Sequence, residues 1–583
     1  MGSNPNVIQH PMGTRQITEE LWPSWPEIDW RQANRRVRNL RHRIFRAAQE
    51  GDLKRVKNLQ KLMLRSTSNV VVSVRRTTQV NAGKYTPGID KVVIKTPEAR
   101  DELVQDMLKV KSWKATPVRR IYIAKANGKR RPLGIPTLKD RTLQAMVLNA
   151  LEPEWEARFE ASSYGFRPGR GCHDAIERIW HATKGNAKRK WILDADIKGA
   201  YDHLSHEFLL DTLKGFPAIG LIEGWLKAGY MDHAAFGRTD EGVPQGGIIS
   251  PLLFNVALHG MDTYVQEKVG ERKSSVSTVV RYADDFVVIC DVEPRAQQVE
   301  VILKEWLGER GLALSEEKTR VVHIDDGFDF LSFNIRRYAR NGKEKCLVKP
   351  SKDAIKKVKG KIREALRNNQ GKPVMALMKE VNPIIRGWAN YHRTSVASRE
   401  FKKLDDWMWK KLWKWARRRH DRKGHEWIAD NYWGIKPGRN DKWVFQDKTT
   451  GAFLWKFSWF PIERHVMVKG GNSPDDPRLK EYWEKRRKKP APYLGLLKGN
   501  KGKRLYELQR GICLACGEPL DNTEEVHIHH IVPRKQGGSD NVENLVMVHL
   551  YCHQQIHHIL RESGKNKPAI SGKILPSRLK GIQ

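Results

Sequence analysis

Apolar and polar positions follow helical spacing near the start of the chain. Between residues 30 and 65, apolar residues recur every three or four positions among arginines and lysines, which predicts two basic helices with a break near Gly51. From about residue 66 to 345, runs of β-branched residues alternate with helical patterns, so an α/β body is expected. Within that body, the stretch 118–136 predicts a β-hairpin that turns at an Asn-Gly pair.

The pattern changes twice in the second half of the chain. From about residue 350 to 420 the pattern is helical and basic, and residues 407 to 459 hold nine of the 20 tryptophans. A stretch rich in Pro, Gly and Lys, roughly 470–505, is typical of a linker or a weakly folded segment. The remaining residues are dense in cysteine and histidine, which predicts a small compact module.

One strand-like stretch carries two adjacent charged residues between apolar flanks that are expected to be buried. In VVRYADDFVVIC, Asp284 and Asp285 lie between runs of valine and isoleucine. Neighbouring side chains of a strand point to opposite faces, so both carboxylates can serve one site only where a turn intervenes. A tight hairpin at this point would let them hold a hard cation. A solvated turn is the simpler interpretation of an Asp-Asp pair alone, and only accompanying motifs favour a metal site.

Charge and cysteine usage narrow the class of partner. The 583 residues carry 106 Lys and Arg against 67 Asp and Glu, a formal net charge of +39. This excess is spread along most of the chain and favours a nucleic acid, since neutralising phosphates releases counterions. We expect no membrane association, because no apolar run reaches about 18 residues and no apolar secretory core opens the chain. Six cysteines, three of them close together, indicate a metal site and a reducing compartment. The expected location is the cytoplasm of a bacterial-type cell or an organelle.

The stretches around the aspartate pair form an ordered series that resembles the palm of reverse transcriptases. WILDADIKGAYDHLSH precedes GVPQGGIISPLLFN, and GLALSEEKTRVVHI and FDFLSFNI follow the pair. The resemblance implies that Asp196 and Asp284 bind two Mg²⁺ ions and that Asp285 completes the acidic cluster. Asp194 lies one strand period from Asp196 and is a competing candidate for the same role.

The same resemblance assigns five positions to the incoming nucleotide. Lys125 and Arg131 match residues of the fingers that hold the triphosphate, a role that requires fixed positive charge. Tyr201 matches the aromatic side chain beneath the sugar, where its bulk favours dNTPs. Gln245 matches a glutamine at the nascent base pair, and Lys318 matches a lysine near the triphosphate.

Further motifs resemble one branch of the reverse transcriptases, the group II intron-encoded proteins. These are the basic N-terminal helices together with YTPGIDKV, RPLGIPTLKDRTLQAMV, SSYGFRPGRGCHDAI and NPIIRGWANYHR, the last of which belongs to the thumb, or maturase, domain. The resemblance implies that the protein binds its own intron RNA, assists splicing and copies the RNA after insertion into DNA. The expected partners are therefore group II intron RNA, target DNA and dNTPs, with the oligomeric state left open.

Metal-ligand spacing appears in the C-terminal module. Cys513 and Cys516 form a CxxC pair, and His549 and Cys552 repeat the two-residue spacing. Together they predict a tetrahedral structural Zn²⁺ site. So small a module needs such a link, because its apolar core is limited.

Other residues of the module resemble the HNH, or ββα-metal, nucleases. The resemblance implies that His530 is the general base and that Asn544 braces the loop that carries it. It also implies that His529, His553 and His557 bind a single catalytic divalent ion, Mg²⁺ or a similar metal. The alternative is one larger zinc-binding DNA module without chemistry.

The expected fold class is multidomain α/β: a right-hand polymerase with fingers, palm and helical thumb, followed by a small zinc-containing ββα-metal (HNH) nuclease. Two other functions stay open, a splicing chaperone without polymerase activity and a CRISPR-associated or diversity-generating reverse transcriptase. The expected domains are a basic helical extension (1–65), fingers and palm (66–345), the thumb or maturase domain (346–469), a basic DNA-binding linker (470–505) and the HNH endonuclease (506–583).

Overall fold

The structure is a computed structural model that describes most of the chain. All statements below concern its described residues, which are 8–9, 24–110, 112–124, 128, 130–185, 187–270, 277–340, 343–435, 441–487, 501–520 and 525–562. Within these ranges, no helix combines the length and the apolar character needed to cross a bilayer.

Five helices form the N-terminal half of the fingers, and the fifth of them is buried among the others. Asp29 and Asp52 cap the first two helices by accepting hydrogen bonds from backbone N–H groups, and Gly51 takes a φ of 74° between them. This confirms the predicted pair of basic helices and its break. The fifth helix is buried on nearly all sides, and the first three pack against it. These helices are α1 (Trp30–Gln49), α2 (Leu53–Leu64), α3 (Thr67–Arg75), α4 (Pro97–Lys109) and α5 (Leu138–Arg158).

The strands of the first 323 residues form three sheets. They are β1 (Ile8–Gln9), β2 (Ser112–Trp113), β3 (Val118–Ala124), β4 (Arg130–Ile135), β5 (Trp191–Lys198), β6 (Tyr230–Asp232), β7 (Ala235–Gly237), β8 (Ser277–Tyr282), β9 (Asp285–Cys290), β10 (Ala313–Leu314) and β11 (Arg320–His323).

The fingers sheet has the order β4-β3-β6-β7, and β1 pairs with β2 apart from it. The hairpin predicted from the Asn-Gly pair is present, with Ile121 opposite Leu133. The palm sheet has the order β10-β5-β9-β8, with β11 also paired to β5. Its helices are α6 (Cys172–Thr183), α7 (His206–Thr212), α8 (Ile219–Lys227), α9 (Ser250–Ala257), α10 (Met261–Lys268) and α11 (Glu293–Gly308).

The thumb follows a three-stranded sheet and has a hydrophobic core of its own. Many tryptophans lie in that core, including Trp415, Trp433 and Trp455. The preceding sheet consists of β12 (Phe328–Phe330), β13 (Phe333–Arg340) and β14 (Lys343–Pro350). The thumb consists of α12 (Lys352–Asn368), α13 (Val374–His392), α14 (Ser398–Arg419), α15 (His425–Tyr432), β15 (Trp433–Gly434), β16 (Val444–Asp447) and β17 (Ala452–Phe453).

The first half of the expected linker is packed against the polymerase. Asp475 is buried and accepts two hydrogen bonds from Arg41 of α1, at 2.8 and 2.7 Å. Helix α16 (Lys480–Arg487) buries Trp483, whose indole N–H donates to the carbonyl of Ser473. A linker pattern in the sequence therefore coincides with a folded segment over 470–487.

The C-terminal module is the expected ββα unit. Strands β18 (Val526–His530) and β19 (Leu545–His549) are antiparallel, and helix α18 (Leu550–Glu562) follows directly. Helix α17 covers the described residues 501–508. The buried side chains of this module are continuous with the core of the fingers and palm.

Candidate active sites

The aspartate pair lies at a tight hairpin, as predicted. Tyr282 at the end of β8 is opposite Asp285 at the start of β9, so Ala283 and Asp284 form the turn. Asp285 is also directly opposite Asp196 of β5. The pairing of three strands therefore brings Asp196, Asp284 and Asp285 to one edge of the palm sheet.

Buried contacts hold this hairpin in place. The guanidinium of Arg281 is fully buried and donates to Asn255 at 2.9 Å and to Ser163 at 2.8 Å. Ala283 takes a left-handed φ of 57°, which is strained for a residue with a Cβ. The backbone at Gly165 lies so close that a Cβ there would be 2.5 Å from the nitrogen of Ala283. The surrounding packing thus determines where the turn points.

Crowding of the carboxylates changes their protonation. Burial, followed by the charge of Asp284 and the hydrogen bond with Asp196, raises the pKa of Asp285 to about 7. Burial also raises the pKa of Asp284, to which the charge of Asp196 adds. Like charges this close favour a shared proton or a bound cation. The donor set, carboxylate oxygens beside a cavity of about 360 Å³, fits Mg²⁺.

Two basic residues near the site, Lys318 and Arg320, pair with different aspartates of β5. The Lys318 ammonium donates to Asp196 at 2.7 Å, although the lysine side chain is 62% exposed. Burial opposes the charge of Lys318, but the hydrogen bond to Asp196 and the charges of the three nearby carboxylates together outweigh burial and raise the pKa of Lys318. Arg320 of β11 donates to Asp194 with both contacts at 3.1 Å. Asp194 therefore shares the cavity lining with Asp196 but already has a partner in Arg320.

The structure brings most of the proposed nucleotide-binding residues towards the same site. The Tyr201 ring stacks on Phe254 with centroids 4.7 Å apart, and burial and the charge of Asp284 raise the pKa of its phenol. Arg131 is exposed on β4 and interacts electrostatically with both Tyr201 and Asp284.

Gln245 lies beside the same strand. Its backbone carbonyl accepts a hydrogen bond from Gly134 at 2.7 Å, and its side chain donates to Asp202 at 3.3 Å. Lys125, the other residue predicted to hold the triphosphate, lies outside the described residues.

The predicted zinc ligands converge in the C-terminal module. Cys513, Cys516, His549 and Cys552 are buried, and their ligand atoms all lie within 4.8 Å of one another. The carbonyl of Pro519, 3.0 Å from His549 Nε2, can only accept, so this nitrogen carries the proton and Nδ1 points to the sulfur of Cys516 at 3.4 Å. Three sulfurs and one imidazole nitrogen in this arrangement are the donor set of a structural zinc site.

The second histidine group also converges. His529, His553 and His557 place ligand nitrogens within 4.8 Å of one another. His553 and His557 are one helical turn apart on α18, with ring centroids separated by 4.5 Å. Burial, helped by the neighbouring imidazoles, lowers the pKa of His529 to about 4. Imidazole nitrogens that face one another in this way fit a divalent transition metal or a similar ion.

The proposed base lies next to this group, on the other face of β18. His530 Nε2 is 2.7 Å from a carboxylate oxygen of Asp540, so this nitrogen donates and Nδ1 is free to accept a proton. Asn544 accepts from the N–H of Val532 at 2.7 Å and donates to the carbonyls of Val532 and Ser539, at 3.0 and 2.8 Å. It thereby ties both ends of the loop that follows His530.

Four family models match the chain, in the order expected from the fold. They are the N-terminal domain of reverse transcriptase (25–107), reverse transcriptase (RNA-dependent DNA polymerase) (123–335), the group II intron maturase-specific domain (355–433) and the HNH endonuclease (513–559). Protein YkfC of Escherichia coli is 36% identical over 308 residues, which cover 46% of this chain and 80% of YkfC.

The chain belongs to the group II intron-encoded reverse transcriptase family. Its member LtrA of Lactococcus lactis, a group II intron-encoded protein, is 32% identical over 320 residues, which cover 44% of this chain and 53% of LtrA. Among solved structures, the telomerase of Candida albicans aligns over 54% of this chain and 64% of its own, at 13% identity and a TM-score of 0.32. The family models show that the chain combines a reverse transcriptase domain, a maturase-specific domain and an HNH endonuclease domain, and they confirm the fold and enzyme class expected from the sequence.

Three features of this intron-encoded protein were not identified from its sequence. They are the pairing of His530 with Asp540, the anchoring of the hairpin by Arg281 and the pairing of Asp194 with Arg320. Asp540 stands ten residues after His530 in a loop rich in Gly and Ser, and no spacing rule singles it out. Arg281 is adjacent to the aspartate motif, and an arginine within an apolar strand is the signal that could have identified it.

Proposed function

We propose that this protein is the mobility factor of a group II intron. It copies intron RNA into DNA, binds that RNA and assists its splicing, and nicks target DNA to generate the primer for copying. The observation that supports the proposal most strongly is the convergence of Asp196, Asp284 and Asp285 at one sheet edge in a chain that also carries the three-histidine site.

In the polymerase site, Asp196, Asp284 and Asp285 would hold two Mg²⁺ ions. When bound, such ions activate a primer hydroxyl and stabilise the departing pyrophosphate. The residues of the chain position the substrate: Arg131 supplies positive charge for the triphosphate, and the ring of Tyr201 limits the space beneath the sugar.

In the nuclease site, His529, His553 and His557 would hold one divalent ion that polarises the scissile phosphate. His530 acts as general base through Nδ1, because Asp540 engages the other ring nitrogen and sets its tautomer. Asn544 keeps the loop in position by its three hydrogen bonds. His529 and His530 lie on opposite faces of β18, and the other two proposed ligands lie on α18, so the base can be changed without removing a metal ligand.

Recognition of RNA fits the charge of the protein. The net charge of +39 suits a structured RNA partner, which is bound through shape, stacking and backbone contacts. The basic segment around 470–505 is the proposed DNA-binding region of the same particle. The described part of this segment, 470–487 and 501–505, includes three successive basic residues, Lys485, Arg486 and Arg487, at the end of α16.

The test is target-primed copying. Purified protein is combined with intron RNA from the DNA flanking its coding region and with an end-labelled target duplex. We expect one nicked strand, and cDNA joined to that nick only when dNTPs are added. A parallel reaction with an annealed primer measures polymerase activity alone. Extension of the annealed primer without nicking would favour a CRISPR-associated or diversity-generating role, and splicing without any extension would favour a chaperone.

The Mg²⁺ requirement of the polymerase should depend on pH. The pKa of Asp285 is about 7 in the metal-free protein, well above that of an ordinary aspartate. Protonation of this group therefore stabilises the metal-free fold as the pH falls below 7, and Mg²⁺ must displace that proton. We expect the Mg²⁺ concentration for half-maximal extension to rise by up to about tenfold per pH unit below pH 7. This concentration is measured by Mg²⁺ titrations of single-turnover extension at several pH values between about pH 8 and pH 6. A Mg²⁺ concentration for half-maximal extension that does not change with pH would contradict the assignment of Asp285 to the metal site.

A further inference from the structure

The nuclease module joins the polymerase at its proposed zinc site. The guanidinium of Arg75, at the end of α3 in the fingers, donates to the sulfur of Cys552 at 3.2 Å. The side chain of Asn34 donates to the carbonyl of Cys516 at 3.1 Å, and Arg38 forms an ion pair with Glu518. Three residues of the N-terminal domain therefore contact the two segments that carry the zinc ligands.

The remaining contacts surround this junction. Gln555 of α18 donates to the carbonyls of Pro26 and Ile28, at 2.7 and 3.0 Å. Lys84 donates to the hydroxyl of Tyr551 at 2.6 Å. Arg75 is only 6% exposed and lies over the ring of Trp30 at 4.6 Å, within the hydrophobic core that the two domains share.

Charge explains why an arginine lies there. Three thiolates and one divalent zinc ion leave one net negative charge, since thiols bind the metal in deprotonated form. This charge would be buried, as Cys513 and Cys552 are at most 1% exposed. A buried charge is costly unless a partner compensates it. The buried cation of Arg75 supplies that compensation from another domain.

We propose that Arg75 is an outer-sphere ligand of the zinc site and that this site is the joint between nuclease and polymerase. The inference rests on the zinc site proposed above and goes beyond it, because it assigns a metal-site role to a residue of the N-terminal domain of the polymerase. Loss of zinc would then destabilise the contacts between the nuclease module and the polymerase, as well as the fold of the nuclease module itself.

The first test measures zinc release. Full-length protein is exposed to a strong chelator, and free zinc is followed with a metallochromic dye. We expect Arg75→Gln, which keeps a donor but removes the charge, to release zinc about 10- to 100-fold faster than the wild type, the usual effect of losing an outer-sphere partner. Arg75→Lys should lie in between. Lys54→Gln removes an exposed charge on α2 and should release zinc at the wild-type rate.

The second test needs no variant. Hydrogen–deuterium exchange of the wild type, before and after chelation, should show lost protection in peptides covering 25–38 and 69–76 as well as 513–520. The inference would be overturned, and the zinc site left intact, if chelation did not change the protection of peptides 25–38 and 69–76. Equal rates of zinc release by Arg75→Gln and the wild type would have the same consequence. Wild-type protein purified without stoichiometric zinc would overturn the zinc site itself, and the inference with it.

Discussion

Replacing Asp284 with asparagine should lower the rate of primer extension by at least about 100-fold, because the substitution removes a ligand charge from a site that stabilises charge in the transition state. The fold should not suffer. Burial and the charge of Asp196 raise the pKa of Asp284, so the ionised carboxylate is less stable in the metal-free folded protein than in water. Removal of that charge should leave the metal-free melting temperature equal or higher.

The measurement is extension of a labelled primer on an artificial RNA template, together with thermal unfolding with and without Mg²⁺. Asp194→Asn is the matched control, since Asp194 lies on the same strand as Asp196 and lines the same cavity, but is bound by Arg320. We expect that control to keep most of its activity and its stabilisation by Mg²⁺. Extension by Asp284→Asn at a near-normal rate, or loss of activity in Asp194→Asn alone, would show that the ligand set is assigned incorrectly.

Replacing His530 with alanine should reduce nicking of target DNA by about 100-fold or more, the usual contribution of a general base. The side chain lies outside the histidine group proposed to bind the metal, so His529, His553 and His557 remain in place. Polymerase activity should be unchanged, because its aspartates lie on the palm sheet. A ready-made primer should therefore restore cDNA synthesis in the variant.

Both activities are measured on the same preparation, with a labelled target duplex for nicking and an annealed primer for extension. His558→Ala is the control, because His558 is an exposed residue of α18 next to a proposed ligand. Nicking by His530→Ala at the wild-type rate would exclude His530 as the base. Loss of extension from the annealed primer as well would show that the two sites are not separable.

The sequence by itself determined the local elements and the kind of chemistry. Runs of valine and isoleucine predicted the strands on both sides of the aspartate pair, and a turn was needed there because adjacent side chains of a strand point to opposite faces. The ββα order of the C-terminal module was implied by the resemblance to HNH nucleases, whereas the break near Gly51 and the hairpin of β3 and β4 were predicted from the pattern itself. Such features depend on neighbours within a few residues, which a pattern along the chain records.

Only the tertiary structure decided which groups become partners. Asp194 and Asp196 look equivalent in the sequence, yet Arg320, 126 positions after Asp194, pairs with one and Lys318 with the other. Arg75 lies 477 positions from Cys552, and the pattern of 470–505 resembles an exposed linker although Trp483 is buried. These contacts depend on how separate elements pack, and the free energy of burial that selects them is a property of the assembled core. The sequence predicts the ligands of each site, whereas packing alone determines which cations lie beside them and where the nuclease docks.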